Sequence, residues 1–136
     1  MPDKKKDSQE PFDIVLIEDN EFDAELTLRV FRKTGLVDNA LHFQNAETAL
    51  AYLRSTTHMP KVVLIDLQLI GGMSGLDFLR HLKQDERTRQ IRTAFLTGSV
   101  EEQQFIDPFI ISTSTFVLKP LDSDKLTRII AANPEN

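Results

Sequence analysis

Five short runs recur along the chain, four of them mostly apolar and too rich in β-branched or aromatic residues to read as helices, and the second, Asn39–Phe43, a strand candidate of weaker propensity. They are Phe12–Ile17, Asn39–Phe43, Lys61–Asp66, Ile91–Leu96 and Thr115–Leu118. The first and third are almost continuously apolar, the pattern of strands buried on both faces of a parallel sheet. Between the runs the period changes to that of a helix. Ala24, Leu28 and Phe31 recur at i, i+4 and i+7 after Asn20, a good N-cap, and before Gly35, a stop signal. Ala46, Ala49, Leu50 and Leu53 share one face, as do Leu76, Leu79 and Leu82 of a helix predicted over about Gly75–Gln84. Leu126, Ile129 and Ile130 predict a final helix over about Ser123–Ala131. A further helical stretch begins at Glu101, but Pro108 interrupts it, because proline removes a backbone donor and disfavours helix at the residue before it.

Strands alternating with helices call for an α/β fold: a doubly wound five-stranded parallel sheet covered by helices on both faces. Right-handed crossovers leave few ways to wind it. At 136 residues the chain suits one domain. Residues 1–10 are expected to form a polar N-terminal tail, 11–132 the folded domain and 133–136 a polar C-terminal tail.

Composition narrows the function by exclusion. The chain has no cysteine, which removes disulfides, thiolate catalysis and thiolate metal sites. Its formal net charge of -5 argues against direct binding to nucleic acid, which needs a basic face. No apolar run is long enough to span a bilayer, and no signal-peptide pattern opens the chain, so a cytoplasmic location is expected. His42, His58 and His81 are scattered without ligand spacing and read as surface or structural residues.

The chemistry lies in the residues that end the strands. Glu18-Asp19 follows the first, Asp66 closes the third, Thr97 follows the fourth and Lys119 the fifth. In a parallel sheet these ends share one edge, where ligands bind. Each of these residues alone has a bland reading as a cap, a turn residue or a solvated charge. Together they bring carboxylates, a hydroxyl and an ammonium to one place. Clustered carboxylates either rise in pKa or hold a cation, and an all-oxygen donor set favours Mg²⁺. A metal, a lysine and a hydroxyl around one carboxylate suit phosphoryl transfer to Asp66.

These motifs resemble the receiver domains of two-component response regulators over roughly residues 12–132. The resemblance is carried by Ile14-Val15-Leu16-Ile17-Glu18-Asp19-Asn20, Val63-Leu64-Ile65-Asp66, Phe95-Leu96-Thr97 and Phe116-Val117-Leu118-Lys119-Pro120, and by their mutual spacing. It implies the flavodoxin-like strand order 2-1-3-4-5, with Asp66 as phosphoacceptor. It also implies Mg²⁺ held by Glu18, Asp19, Asp66 and the backbone carbonyl of Gln68. Thr97 would be the switch hydroxyl, Lys119 its ion-pair partner and Phe116 the switch aromatic, here without a tyrosine hydroxyl. Within the family, the Glu-Asp-Asn start and the charged turn Lys83-Gln84-Asp85-Glu86-Arg87 are similar to the stand-alone regulators that accompany bacterial phytochromes.

The resemblance implies a single-domain regulator, with a sensor histidine kinase or phosphotransfer protein as donor. Output would pass through contact with a downstream protein partner, self-association into a homodimer included. Chemistry limited to self-phosphorylation and self-dephosphorylation would not make it an enzyme. Two rival readings are a degenerate receiver that binds partners without phosphorylation and an aspartyl-nucleophile phosphohydrolase. The second usually wants another Asp near the nucleophile, where Gln68 stands. Three departures from the family pattern are visible: a loop between Asp66 and Gly75 a residue longer than usual, Ser112-Thr113 in place of a small pair, and Pro108 in the fourth helix. That helix is expected to be short, broken or displaced.

Overall fold

The computed structural model describes residues 13–37, 39–99, 108 and 114–131. Both predicted tails, the Ser112-Thr113 departure and, apart from Pro108 itself, the segment in which a helix from Glu101 is expected to be interrupted lie outside the described residues. Five strands, β1 (Asp13–Ile17), β2 (Asn39–Phe43), β3 (Val62–Asp66), β4 (Arg92–Thr97) and β5 (Thr115–Leu118), form one sheet in the order β2-β1-β3-β4-β5. Every neighbouring pair is parallel. Four helices are seen among the described residues: α1 (Glu21–Thr34), α2 (Ala46–Ser55), α3 (Gly75–Gln84) and α4 (Ser123–Ala131).

The continuous apolar runs are explained by a core on each face of the sheet. Side chains alternate along a strand, so a strand covered on both sides needs apolar residues at every position. Val15, Ile17, Val63, Ile65 and Phe95 face α2 and α3, where Ala46, Ala49, Leu50, Leu53, Phe78, Leu79 and Leu82 cover them. The intervening Ile14, Leu16, Val62, Leu64, Ala94 and Leu96 face α1 and α4 and pack on Ala24, Phe31, Leu126 and Ile129. β2 lies at the sheet edge and is only partly covered, which accounts for its weaker apolar pattern.

Two helices turn differently from the reading of their sequence. In α1 the buried face is Ala24, Thr27 and Phe31, while Leu28 is only partly buried. Thr27 can be buried because its hydroxyl donates to the Asp23 carbonyl at 3.0 Å. In α3 the buried residues include Phe78 with Leu79 and Leu82, and Leu76 lies at the margin. The α2 face of Ala46, Ala49, Leu50 and Leu53 is buried as predicted.

Helix ends are fixed by local chemistry. Asn20, Asn45 and Ser74 cap α1, α2 and α3, each accepting a hydrogen bond from the backbone N–H three residues on. Gly35 ends α1 in the left-handed region, at φ 68°, and its N–H bonds to the Phe31 carbonyl. The chain order reverses between β1 and β3, the position at which open α/β sheets form a crevice at their carboxyl edge.

Candidate functional site

The reversal brings the ends of β1 and β3 side by side, with those of β4 and β5 beyond them. Glu18 follows β1 and is fully buried, and Asp66, the last residue of β3, is 6% exposed. Asp19 is partly exposed beside them. Carboxylate oxygens of Glu18, Asp19 and Asp66 all lie within 4.8 Å of one another. Backbone N–H groups hold each in place. Asn20 donates to Glu18 Oε2 at 3.3 Å, Ile70 to Asp19 Oδ2 at 2.9 Å and Gln68 to Asp66 Oδ1 at 3.0 Å.

Lys119 follows β5, whose last rung is anchored where the Lys119 N–H donates to the Thr97 carbonyl at 2.8 Å. Its ammonium reaches into the carboxylates, with Nζ 3.2 Å from Asp66 Oδ2, 3.2 Å from Glu18 Oε1 and 3.0 Å from Asp23 Oδ2. Asp23 was legible only as a favourable acidic residue in the first turn of a helix. Its contact with Lys119 depends on how α1 lies against the end of β5, which no local pattern encodes.

The electrostatics follow from this crowding. Burial pushes the Glu18 carboxyl up to about 7, aided by its hydrogen bond to Asp66 and the Asp66 charge, with Lys119 pulling the other way. For Lys119, burial would lower the pKa, but the bond to Asp23 and the charges of Asp66 and Glu18 outweigh it and hold it well above the usual lysine range. Lys119 is therefore a fixed cation, whereas Glu18 carries a charge that its surroundings do not fully compensate.

This bears on whether a cation fits. Glu18 Oε1 is buried and receives no hydrogen bond, since the Lys119 ammonium is near but not aligned with it. A buried anionic oxygen without a donor is costly, and a metal ion is one way to satisfy it. The donors are all oxygen and converge from three backbone positions, which fits Mg²⁺.

The other predicted residues lie on the neighbouring strands β4 and β5 and on the loop after β3. Thr97 is fully buried, and its hydroxyl donates to the Ser99 carbonyl at 2.8 Å. Phe116 is partly buried and stacks on Phe95, with ring centroids 5.2 Å apart and planes at 23°. Gln68 enters through its backbone beside Asp66. Of the histidines, His42 meets the Glu18 backbone carbonyl at 2.8 Å and His58 pairs with Asp13 at the far end of the sheet. His42 thus lies closer to the site than its scattered position in the sequence suggests.

Comparison with known proteins agrees with this architecture. The family described as response regulator receiver domain matches residues 14–131. The chain is 30% identical over 128 residues to the probable methanogenesis regulatory protein FilR2 of Methanothrix harundinacea, covering 91% of this chain and 82% of that protein. It is 27% identical to the phosphate regulon transcriptional regulatory protein PhoB of Escherichia coli, of which it spans 50%. Among solved structures, the bacteriophytochrome response regulator AtBRR superposes with a TM-score of 0.80 at 33% identity, covering 89% of this chain and 91% of that one. The bacteriophytochrome response regulator RtBRR gives 0.78 at 27% identity, covering 89% and 76%. No helix among the described residues is long and apolar enough to cross a membrane. With the strand order 2-1-3-4-5, the acidic cluster at the carboxyl edge and a family match over nearly the whole folded region, the chain belongs to the response regulator receiver domain family.

Proposed function

We propose that this receiver accepts a phosphoryl group on Asp66, with Mg²⁺ held by Glu18, Asp19, Asp66 and the backbone carbonyl of Gln68. The observation that carries the reading is the placing of the Asp66 carboxylate between two further carboxylates and the Lys119 ammonium at 3.2 Å. The donor is a sensor histidine kinase or a phosphotransfer protein. An oxygen of Asp66 attacks phosphorus, the N–P bond of the phosphohistidine breaks, and the released imidazole keeps the electron pair and takes up a proton from solvent. Held by these residues, Mg²⁺ would supply positive charge to neutralise the phosphoryl oxygens. Lys119 carries a second positive charge to the same oxygens, and the buried strand ends restrict water access.

The readout begins at Thr97. Its hydroxyl bonds to the Ser99 carbonyl in the present arrangement. Turning toward a phosphoryl group on Asp66 exchanges that bond for a charge-assisted one, so the Ser99 carbonyl is released as the site is filled. Phe116, stacked on Phe95 in β4, lies next in line to register the shift. Hydrolysis of the acyl phosphate by water returns the protein to its starting state. The chain acts only on its own side chain, and we do not class it as an enzyme.

Output passes through protein–protein contact, with self-association into a homodimer among its forms, and neither nucleic acid nor a membrane is bound directly. The likeness to two bacteriophytochrome response regulators supports a phytochrome-type sensor as the source of the phosphoryl group, and we place the exchange in the cytoplasm. Intact-mass spectrometry after incubation with acetyl phosphate and Mg²⁺ tests the reading. A phosphoryl-sized gain in the wild type and none in Asp66→Asn is expected. No gain in either would favour a receiver that binds partners without phosphorylation, and turnover of a phosphomonoester would favour a hydrolase.

A further inference from the structure

We infer that Glu47, on α2 and outside the acidic cluster, is a positioning residue that tethers the loop over the site and thereby sets its affinity for Mg²⁺. This rests on the metal site proposed above. The loop from Leu67 to Ser74 touches carboxylates through three backbone N–H groups. Gln68 donates to Asp66, Ile70 to Asp19, and Met73 to Glu47 Oε2 at 2.7 Å. The first two contacts link the loop to the proposed metal ligands. The third is its outer anchor.

The loop is built to reach that anchor. Gly71 and Gly72 both take left-handed backbone conformations, at φ 76° and 63°, which L side chains adopt only with strain. This pair turns the Met73 N–H toward α2. At Gly72 a Cβ would lie 2.5 Å from Glu47 Oε2, so the carboxylate sits directly against the loop backbone. Glu47 itself is held by the first turn of α2, whose cap Asn45 fixes the helix start. Its reach to the loop spans 26 positions in sequence.

Released from Glu47, residues 68–73 gain freedom, and the Ile70 and Gln68 contacts that orient Asp19 and Asp66 weaken with them. The test uses Glu47→Ala and Glu47→Gln with two readouts, amide hydrogen exchange of residues 68–73 in metal-free protein and Mg²⁺ affinity by calorimetry. Glu47→Ala is expected to speed exchange in the loop but not in β1 or β3. It should also weaken Mg²⁺ binding about 5-fold, the equivalent of roughly one net hydrogen bond. Glu47→Gln keeps a side-chain carbonyl that can accept from Met73 N–H, and should stay within about 2-fold of wild type, well inside the loss of one hydrogen bond. Unchanged loop exchange in Glu47→Ala overturns the tether, and unchanged Mg²⁺ affinity despite faster exchange overturns its role in positioning. A Gln variant as weak as the Ala variant overturns it too, since the effect would then be one of charge alone. A wild type that binds no Mg²⁺ would overturn the proposed function, and this inference about affinity with it.

Discussion

Replacing Glu18 by Gln should stabilise the metal-free protein while removing part of its response to Mg²⁺. The side chain is fully buried, its Oε1 accepts no hydrogen bond, and its carboxyl is raised from 4.5 to about 7. A folded-state pKa above the unfolded one means that Glu18 favours folding while protonated. That contribution is fully present below about pH 4.5 and is lost as pH rises through about 7. At about 1.4 kcal/mol per pH unit, the loss between acid and pH 8 is on the order of 3 kcal/mol. A glutamine in place of Glu18 is neutral and of the same shape, and would not incur it. Lys119 would still be paired with Asp23 and Asp66, so the change leaves no orphaned cation. Allowing for the lost attraction to Lys119, a net gain of about 1–3 kcal/mol at pH 8 without metal is expected.

With no tryptophan in the chain, the assay is urea unfolding followed by far-UV circular dichroism at several pH values between 5 and 8, with chelator or with Mg²⁺. In chelator the variant should have the higher midpoint at pH 8, and the gap should close as pH falls toward 5. Adding Mg²⁺ should stabilise the wild type by more than the variant, because binding to the folded state adds stability in proportion to affinity. A variant less stable than wild type at pH 8 in chelator, or a gap independent of pH, would refute the electrostatic argument.

Other expectations follow from the same geometry. Lys119→Ala leaves Glu18, Asp23 and Asp66 without their shared cation. It should lower stability in chelator by about 1–3 kcal/mol at neutral pH, discounted for the partial exposure of the lysine, with Mg²⁺ restoring more stability to the variant than it adds to wild type. Thr97→Ala removes a hydroxyl bonded to the Ser99 carbonyl; it should cost about 1 kcal/mol in unfolding experiments and still allow mass gain from acetyl phosphate, while partner binding or self-association no longer follows phosphorylation. Phe78→Ala empties a fully buried site in the core beneath α3 and should destabilise by about 3–5 kcal/mol, read as a lower urea midpoint at unchanged slope.

Much of this architecture could be read from the chain because a doubly wound sheet leaves a strong trace. Ile14–Ile17 and Val62–Ile65 are apolar at every position since helices cover both faces of their strands. The residues after such runs lie at one edge, so Glu18, Asp19, Asp66, Thr97 and Lys119 could be gathered from spacing alone, and the structure brings them together. Helical period was less informative about phase. Leu28 and Leu76 looked like core residues, yet Thr27 and Phe78 take those places, because which part of an apolar face points inward depends on how the helix lies on the sheet. Partners contributed by distant helices left no local trace at all. Asp23 read as a helix-dipole residue and Glu47 carried no signal, although one completes the Lys119 ion pairs and the other bonds the loop at Met73.

The most direct test of the central claim is to identify the phosphorylated residue itself. Protein incubated with acetyl phosphate and Mg²⁺ would be reduced with borohydride, which converts an aspartyl phosphate to homoserine, and then digested and sequenced by tandem mass spectrometry. Homoserine at position 66 alone, and only when Mg²⁺ was present, is the predicted result. Homoserine at another acidic residue, or at position 66 to the same extent in chelator, would contradict the account.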